Sequence, residues 1–289
     1  MEHLAKVKER LNSLTELHDL VGALRSMTAT QAKEAQQAFA GTESYARVIE
    51  HAIAAAAQLA GPAGAEAFGA AGDGRPVLIA VCAEHGFVGG FDVDILTRVQ
   101  AIRAPDEALV VVGTRGLGRA QEMQIAVDTS HRMTARMAGV PALARRIFKD
   151  VEAASAARIV YARPRLAAHY EVAEQTILPL SARLLEVDTP PAPPLHHLAP
   201  AALLRQLASE YLFAEVARAL MESLASESNA RLRTMDSAAH NIDDRLDKLQ
   251  SDMRKIRQEE ITADLLDVVT GAEAVMNGSG THPGGEDAV

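Results

Sequence analysis

The sequence predicts an α/β protein in which a small domain of buried strands and helices is carried between two unusually long helices. Three observations predict it. The twelve prolines avoid both ends of the chain, with none before Pro62 and none between Pro200 and Pro283. Apolar residues near the C-terminus repeat in heptads. The middle of the chain instead holds short, unbroken apolar runs.

The first element is a helix over about residues 2–60, a stretch with no proline and only Gly22 and Gly41. Proline inside a helix costs about 3 kcal/mol, so its absence over this length marks an uninterrupted helix. At a rise of 1.5 Å per residue it would be roughly 90 Å long. Leu4, Val7, Leu11, Leu14 and Leu17 begin a stripe, which then shifts phase through Leu20, Leu24 and Met27. Such a shift would alter a supercoil locally.

The middle, about 75–190, changes character. Val77–Cys82, Ala108–Gly113 and Arg158–Arg163 are short apolar runs of the kind that form buried parallel strands. Helical patterns lie between them at about 91–104, 116–124 and 141–155, and His169–Leu178 alternates as a half-exposed strand does. This is a small α/β domain of roughly four strands. Thr189-Pro-Pro-Ala-Pro-Pro-Leu195 then reads as a stiff linker.

The second long helix covers about 198–277, roughly 115 Å at the same rise. Leu232, Met235, Ala239, Ile242, Leu246, Leu249, Met253 and Ile256 alternate steps of three and four, an unbroken heptad seam. Helices this long cannot fit inside a compact domain, so they must bury their stripes against each other or a partner. The glycine-rich tail, residues 278–289, is expected to be disordered.

Bulk composition excludes several functions. A net charge of −9 leaves no basic excess to neutralise phosphates, which argues against nucleic acid. A single cysteine rules out an internal disulfide framework or a cysteine-rich zinc site. No apolar run reaches the roughly 18 residues of a membrane span, and the N-terminus lacks a signal-peptide core. The chain reads as soluble and cytoplasmic, reaching membranes only through partners.

Two glycine-rich loops could imitate phosphate cradles. Gly86-Phe-Val-Gly-Gly90 follows the first strand but has neither the Lys-Ser/Thr ending nor the spacing of a nucleotide motif. Gly113-Thr-Arg-Gly-Leu-Gly118 has its glycines in the wrong order and follows the second strand. Tight strand-to-helix turns are the better reading of both. Cys82 reads as a packed core thiol. His196-His197, beside the prolines, reads as a loop feature rather than a metal site. The sequence therefore proposes no catalytic residue, no cofactor and no metal. What stands out is polar material on the long helices: Arg25 and Lys33 on the first, and Arg231, Arg233, Arg254, Lys255, Arg257 and Gln258 on the second. Either these form a solvated face laced with local pairs, or they are an edge that catches acidic loops of a surrounding partner.

A resemblance selects the second possibility. Arg257-Gln-Glu-Glu-Ile-Thr-Ala-Asp-Leu-Leu-Asp-Val-Val-Thr-Gly-Ala-Glu-Ala274 resembles the C-terminal signature of the γ subunits of F-type ATP synthases. Glu222-Ser-Leu-Ala-Ser-Glu227, Asn229-Ala-Arg231 and Met235-Asp-Ser-Ala238 resemble the same family's ENLASEQAARMxAMxxAT region. Gly86–Asp92 is similar to its GLCGGxN turn. Arg10-Leu-Asn-Ser13 and Gln31 to Gln36 fall in register with RIxSI and ASKxRxAQ.

The resemblance implies a small Rossmann-like domain plus a long antiparallel coiled coil formed by the N- and C-terminal helices. It implies a non-catalytic rotor shaft, one copy per α3β3 hexamer of α and β subunits, resting on the ε subunit and the membrane rotor c-ring. Neither nucleic acid nor a small-molecule substrate would bind it directly. Arg257, Gln258 and Thr262 occupy the family's RQxxIT positions and are carried over as contacts with the β subunit, with Arg25 and Lys33 as N-terminal counterparts. Leu265, Val268 and Val269 would turn in an apolar bearing at the top of the hexamer. The location implied is peripheral, on the cytoplasmic face of a bacterial plasma membrane. The sequence departs from the family at Asp19, Gly22 and Gln31, where basic residues are usual, and at Arg254, where Asn is usual. These departures resemble the γ of an alternate, second-copy F-type ATPase. The competing reading is a coiled-coil scaffold or adaptor with an α/β head.

Overall fold

The computed structural model describes residues 2–66, 72–165, 169–185 and 195–278. Two compact units make it up: residues 24–236, and residues 1–23 with 237–289. Helix α1 (Glu2–Glu66) contributes to both, as does helix α5 (Pro200–Gly278). The proline-rich segment 189–194 and the tail beyond 278 lie outside the described residues.

Within residues 24–236, five strands form one sheet: β1 (Val77–Val81), β2 (Ala108–Val112), β3 (Thr129–His131), β4 (Ala157–Pro164) and β5 (Tyr170–Leu178). Their order is β3-β2-β1-β4-β5, with β5 antiparallel to β4 and the other pairings parallel. The sequence reading of roughly four strands missed β3. That strand has three polar residues on the sheet edge, too short and too hydrophilic for an apolar run to reveal it.

Both faces of the sheet are covered, which is why β1 and β2 read as continuous apolar runs rather than alternating ones. Leu78, Ala80, Cys82, Leu109 and Val111 pack against α2 (Phe91–Ile102) and α3 (Thr114–Glu122). Ile79, Val81, Val112, Ile159 and Tyr161 pack against α4 (Val140–Val151) and the 212–224 stretch of α5. The same stretch of chain also meets α1, where Ile49, Ile53 and Ala56 cluster with Leu204 and Ala214. Helix α5 is thus buried nearly all round from Leu212 to Ala230.

Gly61, at φ +64°, interrupts α1. Pro62 disfavours helical geometry in the residue before it, and glycine tolerates the left-handed alternative. The continuous helix therefore ends where proline first appears.

The long helices run antiparallel. Within residues 24–236, Arg25 pairs with Asp236 and Tyr45 with Glu210, so partners ascend on α1 as they descend on α5. Within the other unit, His18 Nε2 lies 3.2 Å from Asp243 Oδ1, and Glu9, Arg10 and Leu14 share a groove with Arg245, Leu249 and Asp252. The heptad seam of α5 is as expected: Met235 and Ile242 are buried, and Ala239, Leu246, Leu249, Met253 and Ile256 half-buried.

On α1 the expected phase shift is absent. Leu17, Leu20 and Met27 are exposed and only Leu24 of the expected shifted stripe is half-buried, while His18, Val21 and Thr28 keep to the heptad positions begun by Leu4, Val7, Leu11 and Leu14. A reading limited to apolar residues skips His18 and Thr28. His18 and Thr28 are tolerated there because each has a partner, Asp243 for the imidazole and the Leu24 carbonyl for the hydroxyl.

Candidate functional surface

The first place to look for chemistry is the C-terminal end of the parallel strands, where sheets of this kind take ligands. Here the chain's own carboxylates fill it. Glu84 follows β1 and accepts hydrogen bonds from the Thr114 N–H (3.0 Å) and hydroxyl (2.9 Å) at the start of α3. It also accepts from the Met133 N–H at 2.9 Å and from Arg132 Nε at 3.1 Å. Burial pushes its acidity one way, but these donors prevail and hold the carboxyl below its usual range. Asp92 in turn accepts the Ala83 N–H at 2.8 Å.

The two glycine-rich loops are accordingly structural. A side chain at Gly113, φ +109°, would meet the Ala83 and Cys82 carbonyls, and one at Gly116 would sit 2.0 Å from Cys82 Cβ. Those glycines let α3 close onto β1. The 85–90 loop is held from α5: Arg231 Nε donates to the Gly86 carbonyl at 3.2 Å, and Arg231 also pairs with buried Glu227. Cys82 is buried, and burial raises its thiol pKa well above the ordinary value, the opposite of a reactive cysteine. His196 Nδ1 donates locally, to the Leu198 carbonyl at 2.9 Å. Among the described residues no cluster of three histidine, cysteine, aspartate or glutamate side chains could hold a metal ion. Nor is any helix among them long and apolar enough to cross a membrane.

The residues carried over for partner contact lie on the long helices. In the unit formed by 1–23 and 237–289, Arg257, Gln258 and Thr262 are exposed, and the Thr262 hydroxyl donates to the Gln258 carbonyl at 2.8 Å. Beyond them every residue from Ile261 to Glu273 is exposed. Leu265, Val268 and Val269 are 61%, 69% and 54% exposed, joined by Ile261 and Leu266. A lone apolar helix segment of this kind is unusual in a monomer. In the unit 24–236, Lys33 is exposed and Arg25 is half engaged with Asp236. Arg231 and Arg233, grouped with them in the sequence, are turned inward instead. Arg231 clamps the 85–90 loop, while Arg233 lies over the Tyr170 ring and 3.1 Å from His169 Nδ1.

Sequence reasoning missed a polar seam on α5. Glu215, Glu222, Ser223, Ser226 and Glu227 are each at most 4% exposed. Ser226 donates to the Ala162 carbonyl at 3.0 Å, Ser223 to the Val81 carbonyl at 3.2 Å, and Arg163 Nε to Glu222 at 3.2 Å. The motif Glu222–Glu227 carried the family resemblance, but nothing in it reveals that its polar atoms bond to strand edges.

The ATP synthase family model matches residues 3–275. The chain belongs to that family. Among curated members of the ATP synthase family, the gamma chain of Beijerinckia indica is 28% identical over 95% of this chain and 100% of its own length. The gamma chain of Anaeromyxobacter dehalogenans is 27% identical with the same coverage. Two solved ATP synthase chains share the fold. One comes from the OSCP/F1/c-ring part of the Euglena gracilis mitochondrial ATP synthase, with a TM-score of 0.67 and 15% identity over 100% of this chain and 99% of that one. The other comes from the rotor of the same enzyme, with a TM-score of 0.59 and 16% identity over 90% and 99%.

Proposed function

We propose that this chain is the central-stalk γ subunit of an F-type ATP synthase, the rotor shaft that couples transmembrane ion flow to ATP chemistry at the β subunits. One observation carries the reading. A single 79-residue helix is buried in the α/β domain over 212–230 and bare over 261–273, where Ile261, Leu265, Leu266, Val268 and Val269 stand exposed among acidic and threonine residues. A helix anchored at one place and unclothed at another needs a sleeve, and an apolar sleeve makes no directional bonds that would fix its angle. Leu265, Val268 and Val269 are the bearing in this reading. Arg257 and Gln258, with Lys33 and Arg25, present donors to acidic loops of the β subunits, and Thr262, its hydroxyl proton held by the Gln258 carbonyl, stands beside them as a further contact. Because a rotating shaft offers each β subunit a different face in turn, it shifts the affinity of each nucleotide site by differential contact.

The chain itself is a non-catalytic subunit of an enzyme complex. Its partners are the α and β subunits, one copy to three of each, with the ε subunit and the c-ring beneath. Its place is peripheral, at the cytoplasmic face of a bacterial plasma membrane.

Co-expression with α and β chains from the same source tests this. Native mass spectrometry is expected to show one copy joined to three of each, with ATP turnover that depends on this chain. A stable homodimer indifferent to α and β would leave the coiled-coil scaffold instead. Arg257→Ala combined with Gln258→Ala is expected to assemble but to lower coupled ATP turnover, and unchanged turnover would remove these two residues from the contact.

A further inference from the structure

If the shaft turns by making no directional bonds at its tip, torque must leave it through bonds that are directional. The α5 segment 215–231 supplies them. Glu215, Arg218, Glu222 and Ser226 recur every three or four residues and so share one face of the helix. Beside them stand Ser223 and Glu227. All of these except Arg218 are almost completely buried.

This face bonds to three strands of the α/β domain, β5, β4 and β1. Glu215 accepts from Gln175 Nε2 on β5, and Arg218 Nη2 donates to Gln175 Oε1 at 2.9 Å. Arg218 also binds both Glu215 and Glu222, at 2.7 and 3.1 Å, so the acidic pair is held from within the helix. Glu222 accepts from Arg163 on β4 at 3.2 Å. Ser223 reaches the Val81 carbonyl on β1, and Ser226 the Ala162 carbonyl on β4. Arg231 closes the row on the Gly86 carbonyl.

Stability alone does not explain this choice. Burying ion pairs is at best neutral against well-packed apolar side chains of the same volume, and often worse. An apolar contact, however, holds a helix against rolling by shape alone, with no directional bond to resist the first few degrees of turn. Charge-assisted hydrogen bonds fall off steeply with angle and distance. We propose that this polar seam is the torsional key of the molecule: Glu215, Arg218, Glu222, Ser223 and Ser226, with Arg163 and Gln175 opposite, lock the rotation of α5 to the sheet. These are positioning residues. They touch no substrate and act by making the helix and the α/β domain turn as one. The inference rests on the central-stalk reading.

The test replaces the seam with apolar side chains so that no charge is left orphaned: Arg163→Met, Glu215→Met, Arg218→Met and Glu222→Leu together, in the full membrane-bound complex. Two quantities are read side by side, the ATP hydrolysis rate and the ions transported per ATP. The variant chain is expected to melt as high as the parent or higher, and its complex to keep hydrolysing ATP. Ion transport per ATP is expected to fall several-fold, because the helix slips against the domain. Glu222→Gln alone keeps a hydrogen-bonding side chain and is expected to hold the parental ratio. A stable apolar variant with the parental ratio would overturn the key while leaving the central-stalk reading intact. A parental chain that forms no complex with α and β would overturn both. Should the fourfold variant fail to fold, Ser223→Ala with Ser226→Ala removes two bonds from the same face. It is expected to soften the torsional stiffness measured by single-molecule rotation with a bead on the α/β domain, and unchanged stiffness would overturn the key.

Discussion

At the scale of single residues, Glu227 shows how burial and charge compete. Removal from water pushes its carboxyl up to about 7, against the pull of Arg231 and with help from Asp92 and Glu84. The folded protein therefore binds this proton more tightly than the unfolded chain, whose carboxyl titrates at the ordinary 4.5. Stability from this group is complete below the unfolded value and declines as pH rises towards the folded one, by up to about 3 kcal/mol. Glu227→Gln, which cannot ionise, is expected to flatten that decline when melting midpoints are compared across the weakly acid to neutral range. Gly116 makes a steric prediction. Gly116→Ala would place a methyl 2.0 Å from Cys82 Cβ and is expected to destabilise by roughly 1–3 kcal/mol in denaturant unfolding. Cys82→Ala is not expected to rescue it, since the clashing carbon remains.

At the scale of elements, the register of the two long helices can be checked by a pair of substitutions. Ile242 is 6% exposed in the seam, so Ile242→Ala is expected to cost about 2–5 kcal/mol of the stability of its unit. Leu17 is 44% exposed, so Leu17→Ala is expected to change stability by no more than about 0.5 kcal/mol. Equal effects would restore the phase-shifted stripe. The contrast also explains what was legible in the sequence. Helix limits, the strands β1, β2 and β4 and the C-terminal seam could be read because proline spacing and apolar runs are local signals. Thr28 could not, because its bond to the Leu24 carbonyl is one that exposed Thr15 and Thr30 also make with the carbonyl four residues back, and His18 could not, because its partner Asp243 is far away in the chain. The same holds for Glu222 and Ser226, whose partners Arg163 and Ala162 sit on a strand about sixty residues earlier. The proposed contact residues Arg257, Gln258 and Thr262 came from resemblance, and their exposure is what such a role needs.

At the scale of the whole molecule, exposed apolar surface at Ile261, Leu265, Leu266, Val268 and Val269 should govern how the isolated chain behaves. Leu265→Ser, Leu266→Ser and Val269→Ser together are expected to reduce self-association of the purified chain in light scattering. Folding should be little affected, because these side chains are mostly exposed among the described residues. In the presence of α and β subunits the same variant is expected to assemble less tightly. A variant that aggregates like the parent would mean that the sticky surface lies elsewhere.

Glu84 has a consequence for the economy of the cell. The start of α3 lies behind a glycine turn, the setting in which other sheets seize a phosphate. Here the Glu84 carboxylate takes the Thr114 N–H and hydroxyl and the Ala83 carbonyl takes the Arg115 and Gly116 N–H groups, so an approaching phosphate would meet negative charge and donors already spent. A drive shaft able to bind ATP would stiffen or loosen as the fuel supply rose and fell, and its gearing would drift with metabolism. A socket stopped by the chain's own groups would keep the mechanics of such a shaft indifferent to the nucleotide supply around it.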